Sequence, residues 1–252
     1  MPVSLDFSGR VVLVTGGARG VGRGITQRFA DAGADVVICG RTAPDVLPER
    51  VSFLPADVRD PDQVDALVAA IVERHGQLDV AVNNAGGAPF ADSATASPRF
   101  SEKIIGLNLI AVIHVSKAAN AVMQTQDDGG AIVNITSVSG MRPSPGTAAY
   151  GAAKAGVINL TQSLAVEWAP KVRVNALSAG MIKTEQAELH YGDADGVARV
   201  AATVPAGRLG EPTDVGDACL FLASPLSSYV SGANLVLHGA GEKPAYLAAV
   251  ES

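Results

Sequence analysis

Short apolar runs alternate with amphipathic stretches along almost the whole chain, and that alternation limits the folds open to it. Val11-Val12-Leu13-Val14 is apolar at every position rather than at every second one, as a strand covered on both faces must be. Similar runs follow at Val36–Cys39, Val51–Leu54, Leu78–Val82, Ala131–Ile135, Val172–Ala176 and Asn234–Leu237. After the first run, Val21, Ile25, Phe29 and Ala32 form one helical stripe, which Gly33 ends. After the third, Asp60 reads as an N-cap, Pro61 as the first helical residue and Gln63 as the capping-box partner. Val64, Leu67, Val68, Ile71 and Val72 make the stripe of that helix, and Gly76 closes it. A long helix is expected over Phe100 to Thr125, another leaves Tyr150, and a third places Val215, Ala218, Cys219 and Leu222 on one face. Strands alternating with helices imply a parallel sheet with helices on both faces. The expected architecture is therefore one doubly wound α/β domain over residues 1–252. One crossover departs from the pattern. Only nine residues, Pro44 and Pro48 among them, separate Arg41 from Val51, where a parallel connection normally takes a dozen or more and a helix. That crossover is expected to have lost its helix and to run as a tight irregular arm.

Composition removes several function classes. With 48% hydrophobic and 17% charged residues the chain is not a disordered one. A net charge of -6 and the lack of a basic run give no electrostatic footprint for nucleic acid. Each long apolar segment is interrupted by Gly, Asn, Lys or His, so none reads as a membrane span. Met1 to Asp6 lack the basic region and apolar core of a signal peptide, and the chain is expected to be soluble and cytoplasmic. Cys39 and Cys219 lie in apolar runs and read as buried thiols. His75, His114, His190 and His238 are scattered without ligand spacing, so no metal site is expected.

Two stretches carry chemistry. Thr15-Gly16-Gly17-Ala18-Arg19-Gly20-Val21-Gly22 joins the first strand to the first helix. Glycines there let the backbone turn sharply and approach a pyrophosphate, whose charge meets the helix N-terminus. Gly16, Arg19, Gly20, Val21 and Gly22 are the candidate contacts. The second stretch runs from Ser137 to Lys154. Tyr150 and Lys154 are four residues apart, one turn on the same helical face. A neighbouring ammonium favours phenolate and is expected to pull the phenol below its ordinary pKa of about 10. Ser137, at the end of the feeding strand, could hold a carbonyl or alcohol oxygen against that phenol.

In this order and spacing, TGxxxGxG at 15–22, Asn83-Asn84-Ala85-Gly86 after the fourth strand, Ser137, and Tyr150 with Lys154 as YxxxK resemble the short-chain dehydrogenase/reductase family. The resemblance covers about Gly9 to Gly239. It implies a seven-stranded Rossmann sheet, a nicotinamide dinucleotide, and hydride transfer between a carbonyl and an alcohol. It makes Tyr150 the general acid of reduction and the base of oxidation, with Lys154 tuning it and holding the nicotinamide ribose. Ser137 would place the substrate oxygen, and Asn108 would complete the tetrad by holding a proton-relaying water. Asn84, Ala85 and Gly86 would line the riboses, and Asp57 and Val58 the adenine edge. Gly180, Ile182 and Thr184 would meet the nicotinamide and a phosphate, although Ala179 stands where the family usually has Pro. Likewise His238-Gly239-Ala240 replaces the usual Asp-Gly-Gly.

Cofactor choice turns on the end of the second strand. An acidic residue there accepts from the 2′-hydroxyl of NAD and repels a 2′-phosphate. Here Gly40 is followed by Arg41, whose guanidinium can fork onto a phosphate with help from Arg19. NADP(H) is favoured, and NAD(H), with Arg41 stacked on adenine, stays open. Residues 184–203 are expected to form a lid, with Arg142, Pro143 and Pro145 on one wall and Ala88, Pro89 and Phe90 on another. These mixed walls suggest a medium-sized apolar ketone or alcohol, such as a steroid-ring or fatty-acyl intermediate. A dinucleotide-sensing protein without turnover is the rival reading, against which Asn108, Ser137, Tyr150 and Lys154 are all intact. The resemblance further implies a homo-oligomer, tetramer or dimer, and the apolar tail at 241–252 could pack on a neighbour.

Overall fold

The computed structural model describes residues 5–185, 187, 191–244, 246 and 250. Seven strands form one parallel sheet in the order β3-β2-β1-β4-β5-β6-β7. They are β1 (Val11–Thr15), β2 (Asp35–Gly40), β3 (Val51–Pro55), β4 (Val80–Asn83), β5 (Gly130–Ser137), β6 (Val172–Ala179) and β7 (Asn234–Leu237). The helices are α1 (Gly20–Asp31), α2 (Pro61–His75), α3 (Pro98–Ile105), α4 (Ala111–Met123), α5 (Ala148–Trp168), α6 (Ala194–Thr203) and α7 (Pro212–Ala223). Val12 pairs with Val36 on one side and Val80 on the other, so the winding reverses between β1 and β4. That reversal opens a crevice at the carboxyl ends of these two strands, the usual ligand position in a doubly wound sheet.

Pleating sorts the continuous apolar strands into two cores. Leu13, Val37, Ala81, Ile132 and Val174 point to the face covered by α2, α4 and α5. Val12, Val14, Ile38, Val82, Val133 and Leu177 point to the face covered by α1 and α7. The α2 stripe is enclosed as expected at Val64, Leu67, Val68 and Ile71, and each such side chain contributes about 1.5–3 kcal/mol by leaving water. Asp60 caps that helix by accepting from the Asp62 and Gln63 amides, and Gly76 ends it in the left-handed region at φ 79°.

Three details differ from the sequence pattern. β4 starts at Val80 rather than Leu78: the Leu78 amide donates to the Gln126 side chain at 2.8 Å, while Asp79 still bonds Val11 and Ala131 through its main chain, both at 2.9 Å. The Asp79 carboxylate also accepts from the Val11 amide at 2.7 Å and from Arg10 at 2.8 Å. The long helix contains a π turn, Gly106–Ile110, between α3 and α4. By length and composition Pro98–Met123 is apolar enough to cross a membrane, unlike the reading from interrupting polar residues. Here one side of it packs on the sheet through Ala111, Val115, Ala119 and Met123. Residues 41–50 hold no helix, as the prolines required.

Candidate active site

The first wall of the crevice is the β1–α1 turn. Gly16 and Gly20 sit at φ 65° and 53°, a region a side chain would strain. At Gly22 a Cβ would lie 2.2 Å from the Gly16 carbonyl oxygen, so the loop can close only around hydrogen. Thr15, quoted in the motif but given no role from sequence, ties this loop to the end of β4. Its hydroxyl accepts from the Asn84 and Ala85 amides at 2.9 and 3.0 Å and donates to the Val82 carbonyl at 3.3 Å. The Asn84 amide group donates back to the Thr15 and Gly16 carbonyls at 2.9 and 3.2 Å. Asn84 therefore spends both side-chain protons on fixing the glycine loop beside the place expected for a ribose. At the open end of α1, the Gly20 amide donates to the Glu185 carboxylate at 3.1 Å. Glu185 was legible only as part of the lid.

The second wall carries the reacting groups. β5 delivers Ser137 at its end, and Tyr150 and Lys154 stand in the first two turns of α5. The Ser137 hydroxyl lies near enough to the Tyr150 phenol to favour its ionised form, and it accepts from the Ser139 amide at 3.1 Å. Lys154 is 3% exposed, and its ammonium donates to the Ile135 carbonyl at 2.8 Å while lying 5.6 Å from the Tyr150 ring centroid. Burial pushes the Lys154 ammonium down to about 8. It also pushes the Tyr150 phenol upward, against a smaller opposing effect of the Ser137 hydroxyl and with a further upward push from Tyr191. The expected lowering by Lys154 is not among the causes, and loss of water around the phenol decides the direction.

Asn108 is wholly enclosed within the π turn. Its side chain donates to the Gly87 and Ile104 carbonyls, both at 2.9 Å, and accepts from the Gly87 amide at 2.8 Å. Both of its side-chain protons are used and it fixes the Gly86–Gly87 turn, so the expected relaying water would meet its main chain. A Cβ on Gly86 would stand 2.6 Å from the Asn108 oxygen and 3.3 Å from the Lys154 nitrogen. Absence of a side chain there is what lets Asn108 and Lys154 share the floor of the site. Behind them a buried chain runs from Ser116 through Asn83 and Asn134 to Thr161, in bonds of 2.8–2.9 Å. It joins α4, β4, β5 and α5 with every member paired, which gives a rigid platform.

The rim is more exposed. Gly40 ends β2, and Arg41 beyond it is exposed. Asp57 is ion-paired with Arg59, which is the first cause holding its carboxyl below the ordinary range; Arg41 adds a smaller pull. Val58 is buried in the core instead of facing outward, so its side chain is packing and only its backbone can meet an adenine. Gly180 lies against His238, with its amide on the Leu237 carbonyl at 2.8 Å. Ile182 bridges to Gly210 and so fixes the start of Thr184 and the lid. A pocket of about 340 Å³ opens beside Tyr150, lined by Ala88, Pro89, Phe100, Ile104 and Ala149. Across from it Arg142 is ion-paired with Glu242 of the tail, and both charges act on Tyr191. Gln186, Glu188, Leu189 and His190 of the expected lid lie outside the described residues, as do 245, 247–249, 251 and 252 of the tail. Among the described residues no three His, Cys, Asp or Glu side chains converge as metal ligands. Cys39 and Cys219 are buried free thiols.

These residues fit a dinucleotide. A carboxylate already accepts from the α1 N-terminus, the glycine cradle admits no side chain, and a buried cation backs the phenol. Residues 16–239 match the family model described as Enoyl-(Acyl carrier protein) reductase. The chain is 36% identical over 244 residues to an L-rhamnose 1-dehydrogenase (NAD(P)(+)) of Azotobacter vinelandii, with 91% of this chain and 95% of that one covered. It is 35% identical over 243 residues to a 3alpha-hydroxysteroid dehydrogenase of Mediterraneibacter gnavus, covering 92% and 96%. Among solved structures, the ligand-free aldohexose dehydrogenase of Thermoplasma acidophilum superposes with a TM-score of 0.88 at 33% identity, over 93% of this chain and 94% of the other. Glycine cradle, Ser–Tyr–Lys constellation, sheet order and relatives agree: the chain belongs to the short-chain dehydrogenase/reductase family of dinucleotide-dependent oxidoreductases.

Proposed function

We propose that this protein transfers a hydride between NADP(H) and a ketone or secondary alcohol, with Tyr150 as the proton donor and acceptor. The observation that carries the reading is the Ser137 hydroxyl beside the Tyr150 phenol with buried Lys154 behind them, at the mouth of an apolar pocket. A carbonyl oxygen entering between the two hydroxyls would accept from both, which polarises the carbon and fixes its orientation. In reduction Tyr150 gives its proton to that oxygen as the new C–H bond forms; in oxidation it takes the alcohol proton. The bound nicotinamide supplies or accepts the hydride. Gly16, Arg19, Gly20, Val21 and Gly22 would hold the pyrophosphate. Ala85 and Gly86 would approach the riboses, and Gly180, Ile182 and Thr184 the nicotinamide end. Lys154, cationic below about pH 8, would stabilise negative charge developing on the phenol and hold the nicotinamide ribose. Asn108 acts through the Gly86–Gly87 turn as a positioning residue.

The preference for NADP(H) rests on Arg41 after Gly40 and on pairing of the nearby Asp57 with Arg59, which neutralises that carboxylate. An NAD-dependent secondary-alcohol dehydrogenase is the second reading, favoured by the exposure of Arg41. The pocket size and its Ala, Pro, Phe and Ile lining suit a medium-sized apolar substrate of the steroid-ring or fatty-acyl kind. Screening ketones and alcohols by absorbance of the reduced nicotinamide tests the activity, with Tyr150→Phe as the control. That variant is expected to bind dinucleotide and lose about 10²–10⁴-fold in turnover. Unchanged turnover would remove Tyr150 from the mechanism.

A further inference from the structure

The N-terminus of α1 is the anion site of this fold, and in this protein an internal anion sits on it. The Gly20 amide is 3.1 and 3.4 Å from the two Glu185 oxygens, and the Arg23 guanidinium, one turn into α1, is 2.8 Å from the same carboxylate. Glu185 reaches this position from a well-anchored base. Ile182 bridges to Gly210, and the Lys183 amide donates to the Gly210 carbonyl at 2.8 Å. Beyond that anchor Thr184 packs over Gly20, and the Ala187 amide returns to the Thr184 carbonyl at 3.0 Å. The chain then runs on into the segment expected to cover the substrate.

We propose that Glu185 is an internal surrogate for the cofactor pyrophosphate, which must be displaced when a dinucleotide binds and whose displacement detaches Thr184 and Glu185 from α1. This rests on the reading of the β1–α1 turn as the dinucleotide site. A pyrophosphate and a carboxylate cannot share the Gly20 amide: one donor cannot serve both, and their like charges repel. The diphosphate carries more charge and more acceptor oxygens, so it takes the helix terminus and leaves Arg23 without its carboxylate. Two consequences follow. Dinucleotide affinity is reduced by the fraction of molecules in which Glu185 holds the site. Thr184 and Glu185 are also held against α1 before the cofactor arrives and released from it afterwards.

The test is fluorescence titration of NADPH and NADH into wild type, Glu185→Gln and Glu185→Ala, alongside hydrogen exchange of the 181–203 region without cofactor. Glu185→Ala is expected to bind both dinucleotides about three- to tenfold tighter, the range that an exposed ion pair at a helix terminus allows. Glu185→Gln keeps an acceptor for Gly20 and loses the charge, so it falls between. Exchange across 181–203 in the cofactor-free variants is expected to be faster than in wild type. Dinucleotide binding that is equal or weaker in Glu185→Ala would overturn the proposal while leaving the cofactor site standing. Failure of the wild type to bind either dinucleotide would instead overturn the site reading, and the proposal with it.

Discussion

At the catalytic end of the crevice Lys154 and Asn108 are 3% and 0% exposed, whereas at the other end Arg19, Arg41 and Glu185 lie on the surface. Groups at the buried end are bonded to backbone that cannot move without disturbing the sheet: Lys154 to Ile135, Asn108 to Gly87, Asn84 to the glycine loop. At the exposed end Glu185 is held by the Gly20 amide and an ion pair with Arg23, contacts that water screens and that contribute little to stability. The difference separates chemistry from recognition. Proton transfer needs a phenol and an ammonium at fixed separation in a site poor in water, which only a packed platform provides. Choice of cofactor and timing of entry need charges that can exchange partners, which only a surface permits.

The comparison can be strained hardest at Lys154. Its ammonium ordinarily titrates at 10.5 and is pushed down to about 8 by burial. Between those values the unfolded chain binds more protons than the folded one, so stability rises with pH across that window. Urea unfolding should show wild type gaining on Lys154→Met by up to about 3 kcal/mol from pH 8 to 10.5. A constant gap would mean that the ammonium keeps its water and that the catalytic end is no drier than the rim. Next comes Thr15→Val, which removes a hydroxyl serving two amides and a carbonyl. A loss of about 1–3 kcal/mol in unfolding free energy is expected, together with weaker dinucleotide binding, and Thr15→Ser should recover both. Normal dinucleotide binding in the valine variant would show that the loop holds its shape without this tie. The smallest effect belongs to the rim. Arg41→Ala should weaken NADPH by about tenfold with NADH unchanged, the loss of one charge-assisted phosphate contact at an exposed site. Equal losses for both cofactors would put Arg41 on the adenine and return the NAD reading to the front.

Local rules read well where the local signal was strong. Asp60, Pro61, Gln63 and Gly76 delimit α2 because capping is satisfied within a few residues of chain. The prolines at 44 and 48 mark the missing crossover helix for the same reason. The Ser137, Tyr150 and Lys154 constellation was legible because β5, the turn and α5 are consecutive, so spacing along the chain becomes spacing in the site. Contacts made between distant segments were not legible. Asn84, expected beside a ribose, also ties down Thr15 and Gly16, 69 and 68 residues away. The Val58 side chain packs in the core, which the expectation of an adenine edge did not foresee. Glu185 reaches Gly20 across 165 residues, and no periodicity or motif announces such a pair.

By itself the sequence determined the alternation of strand and helix, hence a parallel doubly wound sheet, and placed a phenol and an ammonium one helical turn apart beside a strand-end serine. Those are consequences of side-chain period, turn chemistry and capping, all of which act over a few residues. The tertiary structure alone decided that Lys154 is dry enough to titrate near 8, that the phenol is pushed up rather than down, and that the Glu185 carboxylate sits on the Gly20 amide at the start of α1. Desolvation and long-range charge pairing depend on which distant segments enclose a group, and enclosure exists only once the sheet has brought them together.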